Sequence, residues 1–240
     1  MVTELLFRDD AYLKSTPAQL VEFTDNGGLI FDQTVFYPIG GGQPSDVGEL
    51  VSDDLNLKVR EVRKGDQGKV VFFVDGPTEG LQIGQKFQQK LDWSTRYGYM
   101  KIHTALHLLS VVIPLGVTGG SIGSEKGRLD FEMPEPLENK EILENELNEL
   151  IARGLEITES WITDAELEEN PSLVKTMRVK PPMGQGKVRL VRIGTETDEV
   201  DLQPCGGTHV KNTLEIGKIR LGKVENKGKS NRRVHLHLDT

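Results

Sequence analysis

Two pairs of residues stand out for the chemistry they could do. His103 and His107 are four apart in His103-Thr104-Ala105-Leu106-His107, and Cys205 and His209 are four apart in Cys205-Gly206-Gly207-Thr208-His209. On a helix, residues four apart share a face, so the first pair can turn both imidazoles to one ion. The second pairs the chain's only cysteine with a histidine across a Gly-Gly step that permits a tight bend. Three imidazoles and one thiolate are a tetrahedral donor set for zinc, which accepts nitrogen and sulfur. Each pair alone also fits an ordinary role, two satisfied histidines on a core helix or a buried thiol in a glycine-rich turn. Both together in 240 residues favour one Zn2+ per chain, held by His103, His107, Cys205 and His209.

Those residues need elements to position them. Met100, Ala105, Leu108, Leu109 and Val112 recur at helical spacing within residues 96–112, which predicts a helix that stops before Pro114 and is capped by Asp92 or Ser94. Upstream, residues 5–7, 19–24, 28–31, 34–37, 55–62 and 69–74 are short apolar or alternating runs separated by turn signals, which predicts a small β-barrel-like domain over 1–90. Inside it, Phe36 to Asp46 carries Gly40-Gly41-Gly42-Gln43, whose backbone N–H groups could approach a ligand. It lacks the Gly-Lys-Ser/Thr ending of a P-loop, and its local sequence reads first as a long turn. Residues 91–240 read as an α+β domain around the zinc site, with helices packed on an antiparallel sheet. It has a glycine-rich loop over 116–127, and helices over 137–154 and 165–170. The longer helix has Leu143, Leu147, Leu150 and Ile151 as its stripe and Glu138, Glu141 and Glu144 near its start. Strands are expected at 128–131, 187–193, 216–224 and 233–238.

The net charge of -8 argues against nucleic-acid binding through global charge. The charge is uneven, acidic over 135–169 and basic over 218–233, and a local basic face can still hold a phosphate backbone. A single cysteine forms no internal disulfide and suits a reducing cytosol. Residues 108–115, the longest apolar run, are too short to span a bilayer, and Glu4, Arg8, Asp9 and Asp10 do not read as a secretory leader. The expectation is a cytoplasmic protein with no membrane partner, a monomer being favoured.

With these motifs placed, the chain resembles the alanyl-tRNA editing family of the free-standing AlaX type. That family is similar to the editing domain of alanyl-tRNA synthetase and, more remotely, of threonyl-tRNA synthetase. The resemblance rests on Phe36-Tyr37-Pro38 with Gly40-Gly41-Gly42-Gln43-Pro44, on Asp92-Trp93 through Arg96, on the His103 and Cys205 motifs, and on Lys227-Gly228-Lys229-Ser230-Asn231-Arg232-Arg233, in the family's order. Ile39 stands where the family often has an acidic residue. The resemblance implies hydrolysis of the ester joining a wrong amino acid to tRNA(Ala), with Ser-tRNA(Ala) the typical target and Gly-tRNA(Ala) a further one. A site built for alanine cannot strongly reject glycine or serine, so a second site must clear the errors. It also maps His103, His107, Cys205 and His209 onto the family's zinc ligands. Four protein ligands make a closed site, so either one of them, such as His209, binds loosely or the zinc chiefly organises the pocket. Gly42 and Gln43 are candidates for the aminoacyl end, Thr104 and Ser121 for the serine hydroxyl, and Lys227, Lys229, Arg232 and Arg233 for tRNA phosphates. The alternative is a zinc-stabilised tRNA-binding module without catalysis. A general zinc hydrolase fits less well, because no glutamate lies between His103 and His107 as HExxH requires.

Overall fold

A computed structural model describes residues 2–53, 55–137, 139–175 and 186–239. The chain divides after Tyr97 into two compact units.

The first unit is built on strands β1 (Glu4–Leu5), β2 (Ser15–Phe23), β3 (Leu29–Phe31), β4 (Gln33–Thr34), β5 (Gly48–Ser52), β6 (Leu55–Lys64), β7 (Val70–Asp75) and β8 (Lys86–Leu91). Six of them close a barrel in the order β2-β3-β7-β6-β5-β8. Alternate residues point inward, and Leu20, Phe31, Leu50, Val59, Phe72 and Phe87 fill the interior. Phe31 meets Phe72 and Phe87 edge-on at centroid distances of 5.2 and 5.8 Å. Two expected strands are shorter than their apolar runs suggested. Residues 5–7 give one strand residue, Leu5, and then a 3-10 turn at Leu6–Arg8, and 34–37 gives only the end of β4. Thr34 Oγ1 accepts from Phe36 N at 2.9 Å, which turns the chain out of the sheet there. Strands β5 and β8 went unread because their outward positions are mostly Glu, Lys and Gln and the buried Gln89 interrupts the apolar inner face of β8.

Helix α1 (Trp93–Val112) begins just before the division. The second unit continues with β9 (Val117–Ile122), β10 (Lys126–Glu132), α2 (Lys140–Ala152), β11 (Ile157–Thr163), α3 (Asp164–Glu169), β12 (Lys187–Gly194), β13 (Glu199–Pro204), β14 (Ile219–Gly228) and β15 (Asn231–Leu238). The single antiparallel sheet expected here is two: β14-β15-β10-β9 and β11-β12-β13. The glycine-rich stretch hides β9, whose Gly119 and Gly120 pair with Asp130 and Leu129 but supply no side-chain pattern. Strand β11 is exposed along most of its length and therefore does not alternate.

Helix α1 is buried on every side from Ile102 to Ser110. Two glycines let neighbours approach it. A Cβ on Gly98 would lie 2.4 Å from Ser124 O, and one on Gly127 of β10 would lie 2.5 Å from Ile102 Cγ2. Helix α2 starts later than expected, because Asn139 caps it, its Oδ1 accepting from Glu141 N at 3.1 Å and Ile142 N at 3.2 Å. Glu138 lies outside the described residues. No described helix is long and apolar enough to cross a membrane.

Candidate metal centre

Helix α1 brings His103 and His107, one turn apart, to Cys205 and His209 in the segment after β13. One ligand atom from each of the four lies within 4.8 Å of all the others. Cys205 Sγ is 3.4 Å from His103 Nε2 and 3.3 Å from His209 Nε2. Two ligands on one tetrahedral zinc, with Zn–S about 2.3 Å and Zn–N about 2.0–2.1 Å, stand roughly 3.5 Å apart. The donor set fits zinc in chemistry and in these spacings.

Hydrogen bonds set which ring nitrogen turns inward. His107 Nδ1 is 2.9 Å from Asp201 Oδ2, so Nδ1–H donates to the carboxylate and Nε2 is the nitrogen left for a metal, which would displace any proton there. Asp201 is buried and also accepts from Gln203 Nε2 at 2.8 Å and from Lys175 Nζ. For His209 a proton count decides. Thr104 Oγ1 donates its one proton to Met100 O at 3.0 Å and accepts from Val210 N at 3.3 Å. At its 3.1 Å contact with His209 Nδ1 the ring must therefore donate, which leaves Nε2, the atom facing Cys205, as an acceptor.

The charges compete within this volume. Burial lowers the pKa of His107, yet the hydrogen bond to Asp201 and the neighbouring Cys205 outweigh it and raise the value to about 9. Burial and the charge of His103 push His209 down to about 3. Burial would raise the Cys205 thiol, but His103 and His209 hold it well below its usual value. A thiolate among imidazoles, backed by a buried carboxylate, is an environment that a divalent cation neutralises.

The segment carrying Cys205 is held from outside by Arg189. Its Nη1 donates to Cys205 O at 2.9 Å and Gly207 O at 2.8 Å, while Nε and Nη2 pair with Glu159. The Gly-Gly step does not work as expected. Neither Gly206 nor Gly207 has a positive φ, and a Cβ on Gly206 would meet nothing within 4 Å. The bend rests on the buried guanidinium instead. Asp201, Gln203 and Arg189 were missed in the sequence. Their one signal was a run of polar residues at alternate positions, Asp201 and Gln203 ahead of Cys205, whose common face is buried.

The glycine loop belongs to the first unit. Gly40 N donates to Gln43 O at 3.1 Å and Gln43 N to Gly40 O at 3.0 Å, with φ of 60° at Gly41 and 83° at Gly42. Positive φ at both central positions makes a two-residue turn of the I′ class, tighter than the expected long turn. Gly42 is exposed and Gln43 buried. The loop is anchored through Asp46, which accepts from Tyr37 N at 2.5 Å and from Arg96 Nε at 2.8 Å, with both charged side chains fully buried.

The other candidates lie elsewhere in the second unit. Ser121 is exposed and stands across from Arg128 in the β9–β10 pair. Lys227 and Lys229 are exposed at the β14–β15 turn, Lys227 Nζ 4.0 Å from Glu225. Arg232 donates to Pro134 O at 2.8 Å, and Arg233 grips Asp130 through Nε at 2.8 Å and Nη2 at 3.0 Å.

A family model described as the threonyl and alanyl tRNA synthetase second additional domain matches residues 188–235, and one described as class II (A) tRNA synthetases matches 11–95. The segment with Cys205 and His209 thus falls in a class of domains that accompanies alanyl and threonyl synthetases. Alanyl-tRNA editing protein AlaX-M of Methanosarcina barkeri is 37% identical over 247 residues, covering 99% of both chains. Its namesake in Pyrococcus horikoshii is 33% identical over 246 residues, again covering 99% of each. An alanine–tRNA ligase of Pyrobaculum arsenaticum is 35% identical over 234 residues, which is 93% of this chain and 25% of the ligase. The chain belongs to the AlaX-M family of alanyl-tRNA editing proteins.

Proposed function

We propose that the chain hydrolyses the ester between tRNA(Ala) and a wrongly attached amino acid, serine first and glycine second, at a zinc centre held by His103, His107, Cys205 and His209. It is an aminoacyl-tRNA hydrolase. Water adds at the ester carbonyl, the bond from the acyl carbon to the ribose oxygen breaks, and free amino acid and uncharged tRNA leave. The observation that carries this reading is the convergence of four ligand atoms within 4.8 Å, in a chain of an editing family. Zinc bound there would supply a fixed positive charge that orders the pocket, and Lewis acidity toward a carbonyl or water would need a coordination position beyond the four ligands.

The chain's own residues fix which nitrogen of His107 and of His209 faces the ion. Asp201 holds the Nδ1 proton of His107, Thr104 accepts that of His209, and Arg189 fixes the carbonyls flanking Gly206. Because His209 is tied at Nδ1 and aimed at Nε2, the geometry favours four firm ligands over a loosely bound His209. The cation then chiefly organises the pocket. Gly42 and Gln43 are proposed for the aminoacyl end and Ser121 for the serine side chain, with Thr104 acting through His209. Lys227, Lys229, Arg232 and Arg233 are proposed for tRNA phosphates, the two exposed lysines first. A zinc thiolate suits a reducing compartment, which supports a cytoplasmic setting.

The test is release of serine from preformed Ser-tRNA(Ala), with Ala-tRNA(Ala) as control, by zinc-loaded and chelator-treated protein. Fast release of serine with alanine spared is expected. A folded, zinc-loaded protein that releases no serine would sink the editing claim and leave the non-catalytic tRNA-binding module.

A further inference from the structure

One face of the sheet β14-β15-β10-β9 is spoken for. Leu129, Phe131, Val234 and Leu236 are buried, and Gly127 sits against Ile102 and Leu106 of α1. Alternation sends the residues between them to the other face. The register sets Lys126 across from His237, Arg128 across from His235 and Asp130 across from Arg233. On the far side of β15, Arg220 faces His237 and Glu225 faces Arg233. Lys223 reaches the same face, where it pairs with Glu225.

This outer face is half-buried to exposed and carries five cations, Lys126, Arg128, Arg220, Lys223 and Arg233, against the carboxylates of Asp130, Glu132 and Glu225. It is net positive on a chain of net charge -8. The cations are also ordered. Asp130 accepts from Arg128 Nη1 at 2.8 and 2.9 Å while Arg233 grips it from β15, so one carboxylate aligns two guanidiniums. Each guanidinium has five N–H donors and spends only part of them on Asp130. Gly222 keeps the surface low, since a Cβ there would lie 2.7 Å from His237 Nε2.

We infer that this outer sheet face binds the phosphate backbone of the tRNA substrate, extending the tRNA contact well beyond the β14–β15 turn. The inference rests on the editing reading for its partner, and charge complementarity selects a polyanion. Cations two residues apart on a strand, repeated on strands about 4.8 Å apart, form a planar array that reads charge and not sequence.

The experiment compares wild type, Lys126→Gln/Arg220→Gln, and a control pair on the barrel, Lys58→Gln/Arg60→Gln, which removes the same charge from exposed positions of the first unit. Binding of uncharged tRNA(Ala) is titrated over a series of salt concentrations. The face pair should flatten the slope of log K against log salt by roughly 1.8, the value for two lost duplex phosphate contacts. It should also raise KM for deacylation while kcat holds. An unchanged slope in the face pair, or an equal change in the barrel pair, overturns the inference. Serine release by the wild type keeps the two readings apart. Release with an unchanged slope overturns only the sheet face. Without release the editing reading fails, and the slope still decides whether this face binds RNA.

Discussion

Asp201→Asn tests whether the centre depends on a proton held at one nitrogen. The carboxylate receives three hydrogen bonds, from His107 Nδ1 and Gln203 Nε2 at Oδ2 and from Lys175 at Oδ1. Asparagine keeps the shape but turns one oxygen into a donor. If the NH2 takes the Oδ2 position, it points at two donors, and His107 can answer only by moving its proton to Nε2, the atom needed for the metal. If it takes the Oδ1 position, it opposes the Lys175 ammonium, and the charge that favours a cationic centre is lost in either case. Removing the outer partner of a metal-bound histidine costs about 10- to 100-fold in affinity, or about 1.4–2.7 kcal/mol. Both orientations are frustrated here and Asp201 is shielded from water, so the upper half of that range is expected. The assay is competition for zinc against a chromophoric chelator, with thermal unfolding followed in the presence and absence of zinc. A variant that folds and binds zinc within about twofold of wild type would refute the tautomer argument.

Thr104→Val should weaken zinc binding about tenfold and destabilise the protein by about 1–3 kcal/mol, because the buried Val210 N–H and His209 Nδ1–H lose an acceptor, whereas Thr104→Ser restores both. Unchanged zinc affinity with altered serine/alanine discrimination would instead assign Thr104 to the substrate. Burial raises the pKa of Asp130, but Arg233 and Arg128 outweigh this and hold it below 3.8, so its contribution is complete above that pH and disappears as the pH falls through the lowered value. Asp130→Asn should therefore cost about 0.5–1 kcal/mol in neutral urea melts and progressively less in acid; a gap that persists in strong acid would contradict the assignment.

Some of this was legible in one dimension, and the reason is locality. The helix over His103 and His107 follows from spacing within two turns, the strands β6, β12 and β15 announce themselves by alternation along a single segment, and β7 by its continuous apolar run. Donor chemistry is local too, so the residue types of the two pairs already limited the metal. What failed depended on partners. A strand such as β9 has no pattern of its own and exists because Arg128 and Leu129 offer it hydrogen bonds. Strand β11 is an exposed edge, defined by its pairing with β12 rather than by an apolar face.

The same division runs through the metal centre. By itself the sequence determined that three imidazoles and a thiolate were available in two compact pairs. Only the tertiary structure decided that the pairs meet, and which proton His107 and His209 each keep. Those protons are placed by Asp201 and Thr104 across 94 and 105 residues of chain. A hydrogen bond acts over about 3 Å of space, and distance along the chain carries no information about it.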